Sequence, residues 1–260
     1  MAKKVDLSSL GSLVRDAESQ LPDLPAPDPS SMAIFDSLSA TLFAGEETLR
    51  GPEPEMLAPA TTGAPSAPFV LVFGGDAARE SAAAYRDAGC LVAHVSFRNP
   101  PQVSRLWADA ELAAERVLAS AAAAAAAAPP RPVVVHGTGA GATQAIHFAA
   151  MRRPPASFAE PLALVLESPV ATLRNVPNCP SFGCMATEPL GNGQRMRRVR
   201  CAAFLAAGEA PALGGSGGAH AEELARDAVG ARAKAVSAAR TGAAVVAEAL
   251  AWMRAQNIID

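Results

Sequence analysis

Residues 132–143 read Pro-Val-Val-Val-His-Gly-Thr-Gly-Ala-Gly-Ala-Thr. A β-branched apolar run enters a glycine-flanked turn, and a helix-forming stretch follows. A strand-to-helix turn of this layout, with a serine at its centre, lifts a hydroxyl clear of the sheet edge as a nucleophile for acyl transfer. Here the flanking glycines are Gly137 and Gly141, the intervening residues are Thr138 and Ala140, and the centre is Gly139, which has no side chain. Acyl transfer also needs a base oriented by a carboxylate, and donors for the oxyanion. The chain has four histidines, and none follows His220. His136 ends the strand beneath the turn and reads as a packing residue. His220 opens a helix and remains an alternative base, as does His136. His94 and His147 have no carboxylate nearby in sequence and read as structural. Thr138 is expected to turn its hydroxyl away from the reacting position, and Ser168 reads as a turn or cap hydroxyl.

The same turn carries part of a dinucleotide fingerprint, Gly137-x-Gly139-x-x-Ala142, between a strand and a helix. The strand is third in its run, however, and the acidic residue that ends the next strand is Glu167, 28 positions after Gly139. A nucleotide site is therefore a secondary reading, although backbone amides at a helix start can hold an anion without side chains. The formal net charge of −3 gives no footprint for nucleic acid. The basic cluster Arg195, Arg197, Arg198 and Arg200 reads as a solvated loop face. Cys90, Cys179, Cys184 and Cys201 lack secretory spacing, and no second ligand pair accompanies Cys179 and Cys184. No metal and no cofactor is expected. The N-terminus lacks an apolar leader, and no apolar run reaches the ~20 residues that cross a bilayer. An intracellular, by default cytoplasmic, location is the expectation, with an organelle in a larger complex as the variant.

The turn needs a scaffold to hold it, and 260 residues suffice for one large α/β domain. Aromatics make up only 5%, so the core must be built from Val, Leu and Ala. Residues 1–67 form an arm rich in Pro, Ser and acidic residues. It has two apolar-periodic stretches, Leu7–Leu21 and Met32–Phe43, and Asp6 is placed to cap the first. Residues 51–67 hold four prolines and read as a linker or an extended crossing segment. From residue 68 on, strands alternate with helices. Strands are expected at 69–73, 91–96, 133–136, 162–167, 201–206 and, weakly, 233–238. Helices are expected at 77–88, 103–128, 140–151, 219–229 and 243–255, with a polar Pro- and Gly-containing excursion at 174–199. The fold class is α/β: a mostly parallel central sheet with helices on both faces. Short right-handed connections then gather the turns after Phe73, His136, Glu167 and Ala206 along one sheet edge, where such folds bind ligands.

Over residues 68–255 the order of these turns resembles the α/β-hydrolase family, and within it the small serine hydrolases with a short lid. Phe73-Gly74-Gly75 matches the family's His-Gly strand and the turn that supplies an oxyanion amide, with Phe73 in place of the histidine. Val135 to Ala142 matches the nucleophile elbow. Leu166-Glu167-Ser168-Pro169 resembles the strand and turn that follow. Phe204-Leu205-Ala206-Ala207-Gly208-Glu209 resembles the turn before the acid, and His220-Ala221-Glu222-Glu223-Leu224 the helix after it. The resemblance implies that the nucleophile position is Gly139, the acid position Pro211 and the base position Thr241-Gly242, with Gly74 and Gly75 as the oxyanion turn. A non-glycine nucleophile in this turn is held in a strained conformation costing about 1–3 kcal/mol, which glycine adopts freely. The expectation is a catalytically inactive, α/β-hydrolase-like protein serving as a structural or interaction subunit of a larger assembly. Its partners would be other protein subunits, engaged through residues 1–67. The alternatives are an esterase or thioesterase with an unusual site using His220 or His136, and a small-ligand or nucleotide binder using the vestigial pocket.

Overall fold

The computed structural model of the chain describes residues 54–57, 67–96, 107–108, 110–113, 116–117, 132–150, 161–172, 190–208, 217–228, 232–236 and 241–259. The arm helices expected at 7–21 and 32–43, Cys179, Cys184, Glu209 and Pro211 lie outside the described residues. Seven strands form one sheet: β1 (Pro54–Leu57), β2 (Phe69–Phe73), β3 (Leu91–Val95), β4 (Val133–Thr138), β5 (Pro161–Glu167), β6 (Ala202–Ala206) and β7 (Ala233–Val236). Their spatial order is β1-β3-β2-β4-β5-β6-β7. Six strands run parallel, and β1 alone pairs antiparallel, at the β3 edge. Residues 54–57 lie inside the proline-rich stretch 51–67. A strand beginning at Pro54 suits an edge, where a missing amide donor costs no ladder bond.

The inner parallel strands bury both faces, so their sequences are continuous apolar runs rather than alternating ones, whereas β7 at the far edge is mostly exposed. All five residues of β2 and all six of β4 are buried. One face, with Leu71, Phe73, Val135, Leu164, Leu166 and Leu205, packs on α2 (Gly141–Ala150), α4 (Gly217–Asp227) and Ala110, Ala113 and Val117 of the helical residues within 107–117. The opposite face, with Val70, Val72, Val134, Val165 and Phe204, packs on α1 (Asp76–Asp87) and α5 (Ala243–Ala255). Among the described residues, the polar excursion contains one short helix, α3 (Asn192–Met196), which sequence reading took as loop. Its Met196 is fully buried in the first core, so a tertiary contact orders what local propensity leaves undecided.

Register decides where the turns meet. Phe73 pairs with Gly137, Thr138 with Glu167, and Glu167 with Ala206. The carboxyl ends of β2, β4, β5 and β6 thus share one edge. From β2 the chain moves outward to β3, then crosses back over β2 to β4, so the strand order reverses between the turns after β2 and β4. That reversal opens a crevice between them. The crevice is narrow at its base. A Cβ on Gly141 would lie 2.1 Å from the carbonyl oxygen of Phe73, so only glycine lets α2 start against the end of β2. Gly141→Ala is expected to destabilise the fold by about 1–3 kcal/mol through overpacking, read as a lower urea midpoint at unchanged slope.

Candidate functional site at the head of the fourth strand

The turn that leaves β4 places Gly139 at φ +58°, half-exposed between buried Thr138 and Ala140. Its amide donates to the carbonyl of Glu167 at 2.9 Å, so the turn is tied to the end of β5. α2 begins two residues later. Gly74 and Gly75 stand opposite, both buried, and Gly75 precedes the first turn of α1. Gly74 is fixed from below: its amide donates to the Val95 carbonyl at 3.1 Å, and its own carbonyl accepts from His94 Nε2 at 3.0 Å. His94 is therefore a buried strut under the crevice. Phe73 packs in the core against Phe148, with ring centroids 6.3 Å apart.

Beneath the turn lies a polar network that sequence reading did not assemble. Glu167 ends an otherwise apolar strand and is 2% exposed. Its Oε2 accepts from Ser81 Oγ at 3.0 Å and lies 3.5 Å from His136 Nε2. Its Oε1 accepts from the amide of Gly242 at 2.8 Å. His136 Nε2 also lies 3.2 Å from Thr138 Oγ1, and Nδ1 lies 3.2 Å from the Tyr85 hydroxyl. The Tyr85 and His136 rings meet edge to face at 5.6 Å. One proton arrangement satisfies every member: Tyr85 donates to Nδ1, and Nε2–H faces Glu167 and Thr138. In it, Nε2 has no lone pair with which to take a proton from Thr138. In that arrangement the histidine bridges Tyr85 and Glu167.

Burial alone pushes the Glu167 carboxyl up, but His136, the Gly242 amide and the Ser81 hydroxyl outweigh it and hold the group below its ordinary range. Burial, the neighbouring Cys90 and Glu167 push the Tyr85 phenol far up, so it stays a neutral donor. Both shifts follow from one rule: a buried charge needs partners that favour it, and a buried neutral group without them stays neutral.

The remaining sequence candidates fall elsewhere. The base position, Thr241-Gly242, sits directly before α5, and Gly242 adopts φ +57°. A Cβ there would lie 2.3–2.6 Å from the end of the exposed Glu80 side chain, which can swing aside, so the positive φ rather than space is what disfavours a side chain at this place. His220 is buried on α4, and its Nδ1 accepts from the Ala171 amide at 3.3 Å. With Nδ1 so used, a neutral ring carries its proton on Nε2. His147 lies on α2, away from the network, with Nε2 2.9 Å from Glu111 Oε1; burial lowers its pKa. Ser168 takes φ +51°, rare for a non-glycine residue, and donates its amide to Ala206. Asn192 of α3 donates to Val170 O at 2.7 Å and Thr143 Oγ1 at 3.0 Å, pinning the turn after β5 to α2. In the basic cluster, Arg195 stacks on Trp107 at 4.4 Å and donates to the Leu190 carbonyl, and burial brings its pKa down to about 10. Arg197 pairs with Asp227 at 3.1 Å. The half-buried stacking of Arg195 is a packing role that a fully solvated loop face did not anticipate.

Sequence reading missed Glu167 as an anchor, along with Ser81, Tyr85 and Glu80. The signal for Glu167 was present: a lone carboxylate ending a buried strand must find donors. The identity of those donors was not. Among the described residues, no group of three or more His, Cys, Asp or Glu side chains gathers to hold a metal, and no helix is long and apolar enough to cross a membrane.

The Glu167 shift has a definite sign. Its folded pKa is depressed, so its contribution is present above the unfolded carboxyl value and is lost as pH falls through the folded one. At neutral pH Glu167→Gln is expected to cost about 1.5–3 kcal/mol, the range for hydrogen bonds to a charged group. Denaturant melts at pH 7 and at successively lower pH should show that gap closing on acidification.

No family profile matches the sequence, and no curated protein matches it. Solved structures do match the fold. Esterase 2 of Thermogutta terrifontis, phosphoramylated by tabun, aligns at 16% identity with a TM-score of 0.54, over 82% of this chain and 95% of its own. The hyperthermophilic esterase of the archaeon Pyrobaculum calidifontis aligns at 17% identity and 0.51, over 95% and 98%. A lipase/esterase of Lactobacillus plantarum aligns at 13% identity and 0.53, over 80% and 99%. At these identities the likeness is one of fold, and together with the strand order and the turns it establishes that this chain has the α/β-hydrolase fold.

Proposed function

We propose that this chain is a non-catalytic α/β-hydrolase-like protein that acts as a structural or interaction subunit, with residues 1–67 as the partner-binding element. The observation that carries the reading is the glycine at the head of β4: Gly139 stands at φ +58° in the elbow geometry with no atom to attack an acyl group. The base position supports it, because Gly242 carries no side chain and holds a φ of +57° that other residues rarely adopt. On this reading a fold that keeps its turns without such a side chain serves by its shape.

One arrangement favours a second reading, an esterase with an unusual site. His136 Nε2 lies 3.2 Å from Thr138 Oγ1 and 3.5 Å from Glu167 Oε2, so the three could be sought as nucleophile, base and acid. Against it, Thr138 is 7% exposed and both Thr138 and Glu167 face the same nitrogen of His136, whereas a triad uses the two nitrogens separately.

A fluorophosphonate probe separates the readings. The wild-type chain is expected to remain unlabelled, and labelling that disappears in Thr138→Val would establish the second reading instead. Gly139→Ser is expected to hydrolyse short-chain esters no faster than wild type, since a serine without a base gains nothing. Robust turnover by that variant would overturn the non-catalytic reading. The subunit role is tested by gel filtration of native lysate. The chain should elute well above its 26.4 kDa, and deletion of residues 1–50, which leaves β1 in place, should return it to monomer size.

A further inference from the structure

The head of α5 is capped from a distance. This 13-residue helix has no acidic residue in its first turn, and its N-cap, Gly242, has no side chain to accept a bond. Its leading amides are the positive end of the helix dipole and need acceptors. They find them on two other elements. Gly242 N donates to Glu167 Oε1 at 2.8 Å, across 75 residues of sequence, and Ala243 N lies 3.4 Å from Glu80 Oε1. One carboxylate is buried and the other exposed.

Glu167 reaches further than a cap. Its backbone carbonyl holds the amide of Gly139, and its second carboxylate oxygen holds Ser81 of α1 and faces His136 of β4. One residue therefore touches the centre of the elbow with its main chain and the turn before the last helix with its side chain. In a working triad those two loops are joined across the crevice by a serine–histidine hydrogen bond. Here the join runs underneath.

We propose that Glu167 is a latch: its ionised carboxylate clasps the 241–242 turn to the elbow, and the turn is released when that charge is removed or neutralised. The ionisable groups facing it are Tyr85 and, beyond Gly242, Glu80 from α1, and His136 from β4. The facing residues Thr241–Val246 bring none, and neither does Ala206 on β6. Ser81 is the remaining polar contact. The latch goes beyond the non-catalytic reading and does not depend on it.

Amide hydrogen exchange on the full chain tests this. In Glu167→Ala, exchange at residues 242–246 is expected to rise about tenfold or more, while the amides of β2 and β4 keep their protection. In Glu80→Ala the rise should be smaller, because an exposed carboxylate is screened. No change at 242–246, a uniform rise across the sheet, or a larger effect from Glu80→Ala would each overturn the latch. Glu167→Gln covers the case in which the alanine variant fails to fold. Its side chain carries no charge, so protection at 242–246 should already be reduced at neutral pH, and the further loss of protection that acid produces in wild type should vanish. An acid-induced rise in Glu167→Gln equal to that of wild type would show that Glu167 is not the titrating clasp.

Discussion

A single buried carboxylate organises the end of this sheet. Glu167 cannot be left without donors in an apolar layer, because an unpaired buried charge costs several kcal/mol. Ser81, His136 and the Gly242 amide meet that need, and each comes from a different element. α1, β4 and the start of α5 are thereby held in one mutual arrangement. The Gly139 turn is attached to the same residue through its main chain. Moving Glu167 would disturb the elbow, the last turn and the inner face of α1 together.

The network also explains the assignment of the histidines. His136 sits directly under the elbow, where a base could be sought, yet both of its nitrogens are committed to Tyr85 on one side and to Thr138 and Glu167 on the other. His94 holds the Gly74 carbonyl, and His220 holds the Ala171 amide. Three of the four histidines thus fix backbone or strand ends around the crevice. The site is polar underneath and glycine-lined on top, an arrangement that keeps the shape of the edge while leaving no side chain at its centre.

Much of this was legible in the chain itself. The continuous apolar runs at 69–73 and 162–166 specified buried parallel strands, because only a sheet covered on both faces accommodates them. The glycine-flanked turn at 137–141 specified a strand-to-helix junction with close backbone approach, and Gly141 meets the Phe73 carbonyl as such a junction requires. Two elements escaped. β1 begins with a proline and pairs only along one edge, so no periodicity marks it. α3 is five residues long and owes its order to the burial of Asn192 and Met196.

The sequence by itself determined the order of strands and helices, the glycine at the elbow's centre and the alignment of four turns on one edge, since these follow from local periodicity and from backbone freedom at single residues. Only the tertiary structure decided what Glu167 binds, why Gly242 must lack a side chain, and which nitrogen of each histidine is occupied. Those depend on contacts between residues up to 163 positions apart, Glu80 and Ala243 among them, and no local pattern encodes which distant donor a buried charge will meet.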